Sequence, residues 1–158
     1  MSLSVSDTIN APREIVWSII TDLDGAQEIV SAITDLQVLE RPDSGILGLK
    51  WQETRIMFGK EATETMWISD ADIGHWYETT AENHGMIYHS KLALEESGEQ
   101  TELSMSFVCK PQTLSAKIFS VFSFLFNGTV RKAFAADLHD IKVHAEMLAR
   151  NQSLGSAN

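Results

Sequence analysis

The sequence is poor in three things, and each shortage excludes something. It holds one cysteine, Cys109, in 158 residues, so no disulfide can form within the chain. That suits a reducing compartment. It is poor in positive charge: 12 lysines and arginines stand against 22 acidic residues, a net charge of −10. A nucleic-acid partner or an anionic membrane surface needs a basic face, and this balance argues against both. Long apolar runs are missing too. The longest, Ile118 to Phe126, is nine residues with two serines, far short of a bilayer span. Met1 to Asp7 has neither a basic nor an apolar leader segment, so no signal peptide is expected and the chain reads as cytoplasmic. No glycine-rich phosphate loop, no Ser–His–Asp or Cys–His arrangement and no internal repeat is visible. The five histidines, His75, His84, His89, His139 and His144, show no ligand spacing, so neither a metal nor a cofactor is expected. Asp140 and His144, four apart, suit a surface pair on a helix.

What is present is enough for one domain. A chain of this length buries roughly 70% of its unfolded surface, leaving room for a core and a modest cavity. The reading is a single domain over residues 1–150 and a flexible polar tail over 151–158. Leu3, Val5 and Ile9 alternate with polar residues as a strand does. Asn10 is placed to cap a helix, with Pro12 in its first turn and Ile15, Val16, Ile19 and Ile20 as its apolar stripe. A second short helical turn is expected around Ala26–Val30. Strands and turns then alternate, the turns near Pro42–Gly45, Gly59, Asp70–Gly74, Asn83–Gly85 and Ser97–Gln100. A long amphipathic helix follows, from about Thr113 to Ala149, with Asn127-Gly128 as a point of bending. The result is an α+β fold: a curved antiparallel sheet of about seven strands around a long C-terminal helix, with one or two short helices after the first strand.

Turn chemistry fixes register. Pairing Met57 with Lys60 puts Trp51 opposite Met66, Glu53 opposite Glu64 and Arg55 opposite Ala62, all on one face. Pairing Glu96 with Thr101 puts Leu94 opposite Leu103, Leu92 opposite Met105, Ser90 opposite Phe107 and Tyr88 opposite Cys109. The 73–92 hairpin stays ambiguous by one residue, leaving Trp76 and Tyr77 unplaced. Glu53, Arg55 and Glu64 therefore fall on the inner face, with Arg55 able to bridge the two acids. Buried charges persist only when paired or wetted. Three readings stand: a polar cluster that orients a ligand, a catalytic acid/base set, or a structural ion cluster.

Several segments resemble the helix-grip superfamily that includes START lipid-transfer domains and polyketide cyclase/dehydrase-like proteins, often called SRPBCC. They are Ile9-Asn10-Ala11-Pro12 with Val16-Trp17 and Thr21-Asp22, Leu36–Glu40, Gly48–Arg55, Phe58–Glu64, and Asp137-Leu138 with Leu148. The resemblance runs to about Arg150. It implies a deep apolar cavity between sheet and final helix, but no single reaction. The iron-oxygenase branch, which needs an iron–sulfur domain, is excluded by the lone cysteine.

The function expected is binding or transport of a hydrophobic small molecule such as a lipid, polyketide-like aromatic or quinone. Trp51, Met57, Met66, Tyr88, Ser90, Met105 and Phe107 are expected to line the cavity, and Phe122 and Phe126 to close it from the helix. Glu53, Arg55 and Glu64 are expected to hold a polar end. The alternative is a cyclase- or dehydratase-type enzyme with Glu53 or Glu64 as base and Tyr88 as acid. A third reading is a dimeric interaction module: the phenylalanine-rich stretch of the last helix suits a homodimer contact or a portal for a greasy ligand.

Overall fold

The structure, a computed structural model, describes residues 2–57, 59–83, 85–114 and 127–157. The chain forms β1 (Ser2–Ile9), α1 (Arg13–Thr21), α2 (Ala26–Ile29), β2 (Ile33–Glu40), β3 (Lys50–Met57), β4 (Lys60–Asp72), β5 (Trp76–Asn83), β6 (Met86–Ser97), β7 (Gln100–Pro111) and α3 (Asn127–Gly155). The seven strands make one antiparallel sheet in the order β1-β7-β6-β5-β4-β3-β2. Register shifts at Ile33/Asp35, Val38/Glu40 and Ile68/Asp70 mark bulges, which bend and coil the strands they interrupt. The curved sheet grips α3 on its concave face.

Each element follows from its pattern. Along β1 every second residue, Leu3, Val5 and Ile9 among them, turns inward and is buried or half-buried. In α1 the buried residues are Ile15, Val16, Ile19 and Ile20, a stripe at helical spacing. In α3 they are Phe134, Asp137, Leu138, Ile141 and Ala145. One continuous core joins α1, β1, the inner sheet and α3 through Ile9, Val16, Leu94, Leu103, Leu138 and Ala145. Both expected registers are observed, Met57 with Lys60 and Glu96 with Thr101.

The ambiguous hairpin resolves with Asn83 opposite Met86 and Trp76 opposite Ala93. Tyr77 then points inward, buried, its hydroxyl donating to the Ile20 carbonyl at 2.8 Å. Trp76 carries the Lys91 ammonium over its ring at 3.7 Å. Gly85 allows the tight connection: its φ is +72°, and a Cβ there would lie 2.8 Å from Thr113 Oγ1.

Three local expectations are corrected. Asn10 does not cap α1. The N-cap is Pro12, with no side-chain cap bond, while Asn10 Oδ1 accepts from Gln100 Nε2 at 2.6 Å. The bond to the strand competes successfully for the same amide oxygen. Asp140 does not pair with His144. Its carboxylate accepts from the Ser31 backbone N–H and hydroxyl at 2.9 and 2.8 Å, tying α3 to the segment before β2. Finally, α3 runs past Ala149 to Gly155, since nothing between Asn151 and Leu154 breaks a helix. The phenylalanine-rich stretch, with Phe122 and Phe126, lies outside the described residues, and so does the homodimer contact or portal expected there. Asn127-Gly128 falls at their boundary.

Candidate functional site

Between the concave face and α3 lies a cavity of about 950 Å³. Its wall is built strand by strand from alternate residues. β3 contributes Trp51, Glu53, Arg55 and Met57, and β4 contributes Glu64 and Met66. Thr79 and Ala81 of β5 are followed by Met86, Tyr88, Ser90 and Leu92 of β6. β7 adds Met105, Phe107 and Cys109, and α3 adds Val130, Phe134, Asp137, Leu138 and Ile141. The ten sheet residues expected to face inward, Trp51, Glu53, Arg55, Met57, Glu64, Met66, Tyr88, Ser90, Met105 and Phe107, therefore share one cavity. Phe122 and Phe126 lie outside the described residues.

The lining has an aromatic side and a soft one. Tyr88 stacks on Phe107 with centroids 5.8 Å apart, and Phe107 meets Phe134 of α3 at 5.5 Å. Met57, Met66, Met86 and Met105 also line the cavity. Unbranched thioethers can repack around guests of different outline.

Three charged side chains meet in the wall. Arg55 Nε donates to Glu53 Oε1 at 2.9 Å, and Nη1 donates to Asp137 Oδ2 at 2.9 Å. Side-chain exposures are 16% for Arg55, 11% for Glu53 and 9% for Asp137, so all three are largely desolvated. Trp51 Nε1 adds a long hydrogen bond of 3.3 Å to Glu53 Oε2. The i, i+2 spacing of Trp51, Glu53 and Arg55 puts them on one face of β3.

The bridge differs from the expected one. Arg55 does not link Glu53 to Glu64. Its second acid is Asp137, which α3 delivers across the concave face, and Glu64 instead accepts from Asn83 Nδ2 at 2.9 Å. Sequence reasoning missed Asp137 because it counted only apolar positions on the helix. The signal was present: Asp137 sits between Phe134 and Ile141 on the stripe that turns inward.

The environment sets protonation. Burial works against the Arg55 charge, but Asp137 and Glu53 outweigh it and hold the guanidinium above its ordinary value. Burial pushes the Asp137 carboxyl up. Arg55 pulls it back, yet with Glu53 and Asp140 nearby the net shift is upward. Asp137 Oδ1 is buried and, among the described residues, has no hydrogen-bond partner. The Tyr88 phenol is raised by burial, then by Cys109 and Glu64, so it keeps its proton. Burial raises the Cys109 thiol as well, against use as a nucleophile. Among the described residues no group of three or more His, Cys, Asp or Glu could hold a metal ion, and no helix is long and apolar enough to cross a membrane.

Comparison places this architecture in a family. The chain belongs to the polyketide cyclase / dehydrase and lipid transport family, whose model matches residues 1–146. Its fold is shared with the Zhui aromatase/cyclase of Streptomyces sp. R1128, at 17% identity and TM-score 0.73, over 92% of this chain and 93% of that one. A START superfamily protein of Mycobacterium smegmatis is similar at 12% identity and TM-score 0.69, over 96% and 98% of the two chains. The protein TTHA0849 of Thermus thermophilus is similar at 15% identity and TM-score 0.64, over 92% and 99%. At these identities the likeness concerns the fold. No curated protein matches the sequence. The fold is of the helix-grip type.

Proposed function

We propose that this protein binds and carries an amphipathic hydrophobic small molecule, of lipid, polyketide-like aromatic or quinone type, in the cytoplasm. One observation carries the reading: a cavity of about 950 Å³, apolar over most of its wall, with a paired charge cluster set into one side. Cavities of roughly 300–1,000 Å³ with a few placed polar groups are typical of small-molecule sites. The guest's apolar body rests against Tyr88, Phe107 and Phe134 and the methionines, and its polar end reaches Glu53, Arg55 and Glu64, with Asp137 as the added member. The similar fold of an aromatase/cyclase and of a START superfamily protein supports a greasy guest. Native mass spectrometry of protein purified from cells tests this. An added small mass, or stoichiometric uptake of the neutral dye Nile red, is expected. Protein that carries nothing and takes up no dye overturns the proposal.

A second reading, cyclase or dehydratase chemistry with Glu53 or Glu64 as base and Tyr88 as acid, draws on one observation. The Tyr88 phenol keeps its proton and feels the charge of Glu64, as a general acid beside a carboxylate base would. Incubation with a poly-β-ketone thioester mimic, read by mass for loss of water, tests it. An unchanged substrate ends that reading.

A further inference from the structure

The charges on the cavity wall do not balance. Among the described lining residues the acids are Glu53, Glu64 and Asp137, and the one base is Arg55. Arg55 is already committed, its Nε to Glu53 and its Nη1 to Asp137, each at 2.9 Å. A ligand carboxylate or phosphate arriving here would find the guanidinium shared between two acids. Among the described residues, the one hydrogen-bond donor to Glu64 is the Asn83 amide, a neutral group, at 2.9 Å on Oε1. The wall therefore holds three acids against one base, or two against one when Asp137 is protonated. Either way it is net negative. Among the described residues the ionised Asp137 offers a buried acceptor, Oδ1, that has no hydrogen-bond partner, in a side chain 9% exposed. A buried acceptor left unsatisfied is costly, and an added negative charge in a desolvated, already negative space is costlier still.

We infer that the cavity selects guests whose polar end is an O–H or N–H donor without negative charge, and rejects anionic amphiphiles such as fatty acids and lipid phosphates. The inference rests on the ligand-binding reading above and narrows it to a class. Glu64 is the discriminating residue, because its charge is the one that no arginine offsets.

Three fluorescent probes of one shape separate the possibilities: pyrenemethanol, pyrenemethylamine and pyrenecarboxylate, titrated at neutral pH into the full chain. The alcohol and the amine should bind, and the carboxylate should bind at least about tenfold more weakly than the alcohol. The amine alone would be ambiguous, since a protein of net charge −10 attracts any cation. The decisive pair is therefore alcohol against carboxylate. Glu64→Gln should narrow that gap to about threefold or less. Glu61→Gln, which removes the same charge from the exposed outer face of β4, should leave it unchanged. A carboxylate that binds as tightly as the alcohol overturns the inference and leaves the ligand-binding reading standing. A gap that moves equally in both variants assigns selection to overall charge and also overturns it. If none of the three binds, the ligand-binding reading falls and this inference falls with it.

Discussion

The two ends of the β6–β7 hairpin lie on one concave face, yet they are filled differently. Near its turn, Leu94 and Leu103 are buried to 6% and 0% exposure, packed with Ile9, Val16 and Leu138. Farther along the same strands, Tyr88, Ser90, Met105 and Phe107 are only half-buried and face the cavity. The strands do not change character between the two ends; what changes is the cover. α1 packs on β6 and β7 at the closed end, and its stripe of Ile15, Val16, Ile19 and Ile20 fills the space there. A short helix inserted after the first strand thus decides which half of the sheet becomes core and which half becomes container.

The comparison can be broken by substitution. The largest effect is expected at the closed end: Leu103→Ala, at a residue 0% exposed, should destabilise by about 3–4 kcal/mol, because it opens a void in a packed region. Met105→Ala, on the cavity wall, should cost about 1 kcal/mol, since its side chain already borders empty space. Urea unfolding of both variants checks this, and equal costs would erase the distinction between the halves. Next comes the charge cluster. Arg55→Met leaves Glu53 and Asp137 without their shared cation and should cost about 3 kcal/mol at neutral pH, with the deficit shrinking in acid as Asp137 takes up a proton.

Asp137 gives a smaller effect with a defined sign. Its folded-state pKa lies above the ordinary carboxylate value, so the folded protein holds that proton more tightly than the unfolded chain does. The stability it contributes is complete below the ordinary carboxylate range and is lost as pH rises through the raised value. The melting temperature of the wild type minus that of Asp137→Asn should therefore increase as pH is lowered from neutrality through the raised value into the ordinary carboxylate range. Smallest of all, Tyr88→Phe should change stability by no more than about 0.5 kcal/mol, its hydroxyl bordering the cavity, while altering the binding of donor-ended guests.

The parts of the molecule that were legible in the sequence are those governed by period and by turns. Alternation along β1 and β7, the α1 stripe, and the registers at Gly59 and Gly98 are local consequences of side-chain spacing, and they were sufficient to bring ten wall residues onto one face. What escaped is what depends on distance in the chain. Asp137 is 82 residues from its partner Arg55, and no pattern near Arg55 announces which acid the helix will present. Asn10 was legible as a capping residue by type, but its partner Gln100 is 90 residues away. The 73–92 hairpin resisted because Trp76 and Tyr77 are both large aromatics, so either register put one of them inside. The structure settles it through the Tyr77 hydroxyl, which needs the Ile20 carbonyl of α1.

The closing of β1 onto β7 has a consequence for how the chain assembles. β1 holds the first described residues, but its partner in the sheet spans Gln100–Pro111. β2 through β7 can zip together by successive hairpins, whose loops reach at most the nine residues 41–49 between β2 and β3 and are entropically cheap. β1 cannot join until the last of those strands exists, and Arg131 and Lys142 of α3 then fasten it through the Ser4 and Thr8 carbonyls at 2.7 Å. On a ribosome, the first of these seven strands to emerge is thus the one that must wait longest for a neighbour, an unpaired edge beside a nascent meander.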